Sequence, residues 1–238
     1  MSLNLQKIHQ QLHAAEKIYP CYCTRADIAA SQSAPHEGEQ ELRYPGTCRE
    51  RQFSAQQLEE FSRNGRVPAW RLKTLPGLVE FDDLCAGKQR IDVHGTVGDF
   101  VIAKAPDNPA YQLAVVADDI AMGVNEVVRG DDLIPSTARQ ILLYAALESG
   151  NKIPRYGHVP LVVGADGKRT AKRSGQARIA DYRASGIAPE KIIGVLARWS
   201  GLECSGYAMP PDLVEQWSWQ RVARQRMILS DELLAELH

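Results

Sequence analysis

Three cysteines carry the first suggestion of chemistry. Cys21-Tyr22-Cys23 is followed by Tyr44 and then Cys48. Thiolates are soft ligands that suit zinc, and zinc takes four donors in a tetrahedron. Two sulfurs one residue apart, with a third further along, can close a small knob around one ion. Tyr44 and His36 are the candidates for the fourth position. The usual Cys-x-x-Cys knuckle is absent, and the same cysteines also suit a small module as buried apolar residues. His9 and His13 lie one helical turn apart, but no third ligand precedes Cys21, so they read as an exposed helical face.

A second group is basic. Gly164-Ala165-Asp166-Gly167-Lys168-Arg169-Thr170-Ala171-Lys172-Arg173-Ser174-Gly175 follows an apolar run. A loop with Lys and Arg between glycine turns can wrap a triphosphate and neutralise charge developing on the α-phosphate. A solvated surface loop is the alternative. There is no Walker sequence, which excludes a P-loop enzyme. Val127-Val128-Arg129-Gly130-Asp131-Asp132 places Arg129 at the end of a predicted strand, the edge where open α/β sheets bind ligands. Arg129 can pair a carboxylate bidentately, or form a structural ion pair with Asp131, Asp132 or Asp118. Tyr111 opens the preceding predicted strand and can reach the same crevice.

These residues need elements to hold them. The chain has 238 residues, 44% hydrophobic and 24% charged, an ordinary globular composition that excludes a disordered or collagenous chain. Its length suits one large or two small domains. The formal charge is -1, so any nucleic-acid surface must come from local segregation of charge. No apolar run is long enough for a membrane helix, and the N-terminus lacks a signal-peptide pattern. Five cysteines, an odd number, argue against a disulfide framework.

Leu5, Ile8, Leu12 and Ala15 form one apolar stripe of a helix that Pro20 ends. Ser54 to Gln57 is a capping box opening a short helix closed by Asn64-Gly65. Trp70 and Leu72 mark a strand, and Leu78 to Phe81 another. From Phe100 the pattern alternates. Strands are predicted at Tyr111–Val116, Glu126–Val128 and Val159–Val163, with a helix after Ser136-Thr137 that Gly150 ends. That order implies a parallel α/β sheet. From Ile179 the chain reads as helical, with Pro189 opening a helix whose core face is Ile192, Ile193, Leu196 and Trp199.

Segments 111–123, 126–133 and 136–144 occur in this order in one family and resemble the second half of the catalytic domain of class I glutamyl-tRNA synthetases. His158-Val159-Pro160-Leu161 and Asp166 to Gly175 resemble the approach to that family's second signature loop. Arg169-Thr170-Ala171-Lys172-Arg173 aligns with its Lys-Met-Ser-Lys-Ser type sequence, with Thr170 and Ala171 departing from it and Lys172 kept. The resemblance covers about Ala15 to Trp199. The Cys-x-Cys…Tyr-x-x-x-Cys pattern, and the end of the chain soon after Trp199, are similar to the glutamyl-Q tRNA(Asp) synthetase branch. That branch activates glutamate with ATP and attaches it to queuosine in tRNA(Asp).

The resemblance implies an α/β fold: the second half of a class I nucleotide-binding, Rossmann-like fold, with a small zinc-containing insertion module and a helical C-terminal region. It implies segments 1–18 (a helix of the nucleotide fold), 19–109 (zinc-containing insertion), 110–178 (second half of the nucleotide fold) and 179–238 (helical region). Cys21, Cys23, Tyr44 and Cys48 would hold zinc. Tyr111 and Arg129 would bind glutamate. Lys172 would be catalytic, binding ATP with Arg169, Arg173 and His158, and magnesium would accompany ATP. The partners implied are tRNA(Asp) in preference to tRNA(Glu), glutamate and ATP, in the cytoplasm and without a membrane.

The family's opening strand, with its His-x-Gly-His-like motif and N-terminal glutamate ligands, has no match; His94-Gly95-Thr96-Val97 does not fit. The expectation is therefore a ligase lacking its N-terminal signature half, impaired in activation. A truncated glutamyl-tRNA synthetase and a non-catalytic zinc-containing RNA-binding module are the alternatives. Strands at Tyr111–Val116 and Val159–Val163 are expected to leave an open edge. That edge would either self-associate or borrow a strand from elsewhere in the chain, with the helix at Leu5–Ala15 the nearest cover.

Overall fold

The computed structural model describes residues 2–31, 42–105, 107–164, 167, 179–228 and 236. The chain begins with α1 (Ser2–Ala14), β1 (Ile18–Cys21), α2 (Arg25–Ala30) and α3 (Ala55–Arg63). Next come β2 (Ala69–Leu72), β3 (Val79–Asp83), β4 (Gly87–Ile91), α4 (Val93–Thr96), β5 (Phe100–Ala105) and β6 (Asn108–Pro109). The middle holds α5 (Tyr111–Met122), β7 (Glu126–Gly130), α6 (Ile134–Ala146), β8 (Arg155–Val159) and β9 (Val162–Val163). It closes with α7 (Ile179–Ala184), α8 (Pro189–Trp199), α9 (Pro210–Leu213) and β10 (Met227–Ile228). Among the described residues no helix is long and apolar enough to cross a membrane.

Two compact units divide these elements. The first comprises 1–81, 88–126 and 135–155, and the second 82–87, 127–134 and 156–238. The first is built on the sheet β1-β2-β5-β6. Its strands pair antiparallel, Ile18 opposite Leu72 and Leu72 opposite Phe100. Leu12, Ile18, Leu72, Ile102, Leu113, Val116 and Leu143 form one core there. The α1 stripe is as expected, with Leu12 fully buried. However, the chain turns at Glu16, which takes a positive φ of 52°, and Pro20 lies within β1 rather than ending the helix. His9 is buried, its ring 4.4 Å from that of Trp70, whereas His13 is exposed as expected. The capping box at Ser54 and Gln57 forms, and Asn64 follows α3 as expected.

One predicted strand is wrong. Tyr111–Val116 is the start of α5, which runs to Met122. Leu113, Val116 and Ala117 are its buried residues, at helical and not alternating spacing. Gly123 ends it in the left-handed conformation at φ 68°. The β-branched run Val115-Val116 suggested a strand, but packing of this face into the core decides for helix. The helix expected after Ser136-Thr137 forms as α6, with Ser136, Thr137, Ala138, Gln140, Leu143 and Tyr144 buried.

In the second unit, the ends of β3 and β4 join β7 and β8 in the order β4-β3-β8-β7. β3 runs parallel to β8, Asp83 facing Tyr156. The run Val159–Val163 is interrupted at Pro160, which cannot donate a ladder bond, and splits into β8 and β9. β9 pairs parallel with β10, Val162 opposite Met227. The edge thus takes a borrowed strand, from a region expected to be helical throughout. With Tyr111–Val116 helical, the other half of the expected open edge does not exist. In α8 the buried residues are Gly194, Val195 and Ala197, while Leu196 is 46% exposed. The core face is therefore rotated from the expected Ile192, Ile193, Leu196 and Trp199, because Gly194 lets the backbone carbonyl of Gly206 approach closely. The fold is α/β with mixed sheets rather than one parallel sheet.

Candidate functional site

Sequence-distant donors converge in the first unit. The sulfurs of Cys21, Cys23 and Cys48 all lie within 4.8 Å of one another, and Cys23 and Cys48 are 3.5 Å apart. The Tyr44 hydroxyl is 3.4 Å from Cys21 Sγ and 3.9 Å from Cys23 Sγ, and it accepts the Cys48 N–H at 2.8 Å. β1 supplies Cys21. A capping box between Thr24 and Asp27 fixes the chain just after Cys23. Stacked rings of Tyr22 and Phe61, 4.2 Å apart, brace the same turn. The Tyr44 N–H donates to Val97 O at 2.9 Å. Gly98, at φ +72°, lets the Tyr44 carbonyl approach to where a Cβ would sit at 2.3 Å.

Electrostatics in the cluster are uneven. The Cys21 thiol is pulled down to about 4 by hydrogen bonding from Cys48, against burial, with help from Tyr44 and Arg71. Cys48 is pushed up by its bond to Cys21 and by burial. Burial, then Cys21, pushes Tyr44 up. The sulfurs and the Tyr44 hydroxyl thus share close polar contacts inside the cluster, and a soft divalent cation can replace them. Zn–S bonds of about 2.3 Å put tetrahedral sulfurs about 3.8 Å apart, so the donor set fits zinc.

Beside the cluster lies a cavity of about 750 Å³, whose lining includes Cys23, Arg25, Arg71, Lys104, Tyr111 and Arg139. Among the described residues no carboxylate lines it, and Arg25, Arg71, Lys104 and Arg139 give that lining a basic character. Tyr111 reaches it from the first turn of α5, 61% exposed. Gln112, on the same turn, is locked by Gln140 at 2.9 Å and Ser136 at 3.1 Å.

Arg129 belongs to the second unit. Its Nε donates to His158 Nε2 at 3.1 Å, and its guanidinium lies 5.5 Å from the Tyr156 ring centre. His158 Nδ1 in turn meets Asp83 Oδ2 at 2.5 Å, with both side chains fully buried. This pattern assigns a neutral imidazole that donates to Asp83 and accepts from Arg129. Burial lowers the His158 pKa, and the Asp83 charge only partly offsets it. Burial would raise Asp83, but the N–H groups of His158, Ala86 and Cys85 outweigh it and hold its carboxyl low. Asp131 is taken by Arg226 in a two-pronged pair at 3.0 and 3.3 Å.

A sequence profile described as "tRNA synthetases class I (E and Q), catalytic domain" matches residues 2–207. The chain belongs to this family. Relatives at full-chain range agree. The chain is 42% identical over 229 residues to a glutamyl-Q tRNA(Asp) synthetase of Symbiobacterium thermophilum, covering 95% of this chain and 69% of that protein. It is 37% identical over 218 residues to glutamate–tRNA ligase 2 of Nitrosococcus oceani, covering 90% of this chain and 45% of that one. A crystal structure of a glutamate tRNA ligase from Elizabethkingia meningosepticum in complex with its amino acid superposes with a TM-score of 0.72 at 21% identity, covering 96% of this chain and 51% of that chain. The fold is thus that of the class I glutamyl-type synthetases, a family of ligases.

Within this family frame, the structure brings Cys21, Cys23, Tyr44 and Cys48 together and puts Tyr111 on a basic cavity. It locks Arg129 on His158. His158 is 1% exposed, with both ring nitrogens engaged inside the protein. Lys172, Arg169, Arg173 and His36 lie outside the described residues. Sequence reasoning missed Asp83, Arg71 and Arg139. Asp83 lies beyond the predicted strand at Leu78 to Phe81, and its partner is 75 positions away.

Proposed function

We propose that the chain acts in ATP-dependent activation of glutamate and its transfer to tRNA, in the manner of a glutamyl-Q tRNA(Asp) synthetase. The 42% identity over 95% of the chain to a protein of that name carries the reading. Adenylate formation needs positioning of a carboxylate and stabilisation of charge on phosphates, and little covalent help. Arg129, its plane fixed by His158 and Tyr156, is assigned to a glutamate carboxylate. Tyr111 is assigned to glutamate as a hydrogen-bonding hydroxyl. Lys172, with Arg169 and Arg173, is assigned to the phosphates of ATP, which enters with magnesium. His158 is assigned to the ATP side of the site through Arg129, because its own ring is enclosed.

Zinc is assigned to Cys21, Cys23, Cys48 and Tyr44, within an insertion at 19–109. It would cross-link β1 to the turn at Cys48, a structural role that leaves no position open for catalysis. Segments 110–178 and 179–238 are assigned to the second half of the nucleotide fold and the helical region, and the setting to the cytoplasm. Slow transfer of labelled glutamate to queuosine-bearing tRNA(Asp), and not to tRNA(Glu), is the expected result in a charging assay, since the chain has no match to the family's His-x-Gly-His-like motif. Label on tRNA(Glu) alone would replace this reading by a glutamate–tRNA ligase. Binding of either tRNA without any transfer would favour an RNA-binding module.

A further inference from the structure

Arg71 is a buried cation that pairs with no carboxylate among the described residues. It lies on β2 opposite Tyr19 of β1 and is 8% exposed. One terminal nitrogen donates to the backbone carbonyl of Asp99 at 2.8 Å, a neutral acceptor. The Asp99 carboxylate is engaged elsewhere, by the Tyr19 hydroxyl at 2.7 Å, the Thr74 N–H at 2.7 Å and Arg49 at 3.2 Å. Arg71 Nε is buried with no hydrogen-bond partner. The guanidinium lies 3.7 Å from the centre of the Tyr44 ring, whose hydroxyl faces the cysteine sulfurs. A buried, half-satisfied cation is costly unless an anion stands nearby.

The cysteine cluster supplies that anion when it holds metal. Three thiolates around one divalent ion carry one net negative charge, and Cys21 and Cys48 are 2% and 4% exposed. We propose that Arg71 is the counter-ion of the zinc–thiolate centre, neutralising its net charge and holding the Tyr44 ring toward it. This inference rests on the zinc reading given above. Arg71 touches no metal and is a positioning residue. Its charge makes the loaded centre neutral as a whole, and its stacking on Tyr44 fixes the direction of the fourth donor. Partners of this kind around metal centres commonly change affinity by about 10- to 100-fold.

Zinc affinity, read by competition with a chromophoric chelator on the reconstituted full chain, tests this. Wild type is expected to take up about one equivalent per chain. Arg71→Met is expected to bind at least tenfold more weakly, with cobalt-substituted absorption showing altered tetrahedral geometry. Arg71→Lys keeps the charge and is expected to stay within about threefold of wild type. Met binding as tightly as wild type, or Lys binding as weakly as Met, would overturn the counter-ion role. If Arg71→Met fails to fold even with excess zinc, the Lys variant decides alone, and a loss beyond tenfold there overturns it. A wild-type chain that takes up no zinc removes the zinc reading itself, an outcome distinct from equal affinity among the variants.

Discussion

At the scale of single residues, the buried pair Asp83–His158 sets a pH dependence. The His158 pKa is lowered from 6.5 by burial, so the unfolded chain takes up that proton first as pH falls. Stability contributed by the neutral ring is present above about 6.5 and is lost on acidification below it. His9 is lowered too, by burial and by His13, and adds to the same slope. Asp83 is held below its ordinary value, so its contribution is present above about 4 and lost only at lower pH. Urea midpoints should therefore fall from pH 7.5 to pH 5.5, and fall again below pH 4. His158→Gln should flatten the first step, and a first step unchanged in that variant would show that other groups set it. The residues themselves were partly legible. Tyr44 and the three cysteines could be named from identity and spacing as candidate ligands, beside the competing reading of buried apolar cysteines. Arg71 and Asp83 could not, since their meaning comes from partners across the sheet.

At the scale of elements, Gly98 and α5 make separate demands. Gly98 sits at φ +72° with the Tyr44 carbonyl 2.3 Å from where a Cβ would go, so no side chain fits without moving the segment that presents Tyr44. Gly98→Ala should cost about 2 kcal/mol or more, since it adds left-handed strain to a close contact. It should also weaken metal uptake through Tyr44, and thermal melts with and without zinc check both effects. Leu113 is 1% exposed in the core of the first unit, and Leu113→Ala should cost about 2–5 kcal/mol in chemical denaturation. A strand at this position would have buried alternate residues, Leu113, Val115 and Ala117. Val115→Ala costing as much as Leu113→Ala would therefore contradict the helix. α5 was misread because a short apolar run has no decisive period; Gly123, as a C-terminal glycine, was the overlooked signal. The capping box of α3 was legible because it is local. β10 was not, since two residues carry no periodicity and only β9 makes them a strand.

At the scale of the whole molecule, the chain matches its relatives in family and fold, and spans 69% of one and 45% of another. The order of the family motifs was legible because each is contiguous. The mixed sheets were not, because pairing is decided by contacts remote in sequence. The predicted open edge resolves into a helix at Tyr111 and a β9–β10 pair. The central claim is that these residues recognise glutamate activated on an adenylate. Isothermal titration of the zinc-loaded chain with a non-hydrolysable glutamyl-adenylate analogue, the glutamyl sulfamoyl-adenosine, tests it most directly. The expected result is saturable binding that weakens at least tenfold in Arg129→Ala, as removal of a bidentate charge partner requires. Binding that is absent, or equally tight in Arg129→Ala and in the wild-type chain, would contradict the claim.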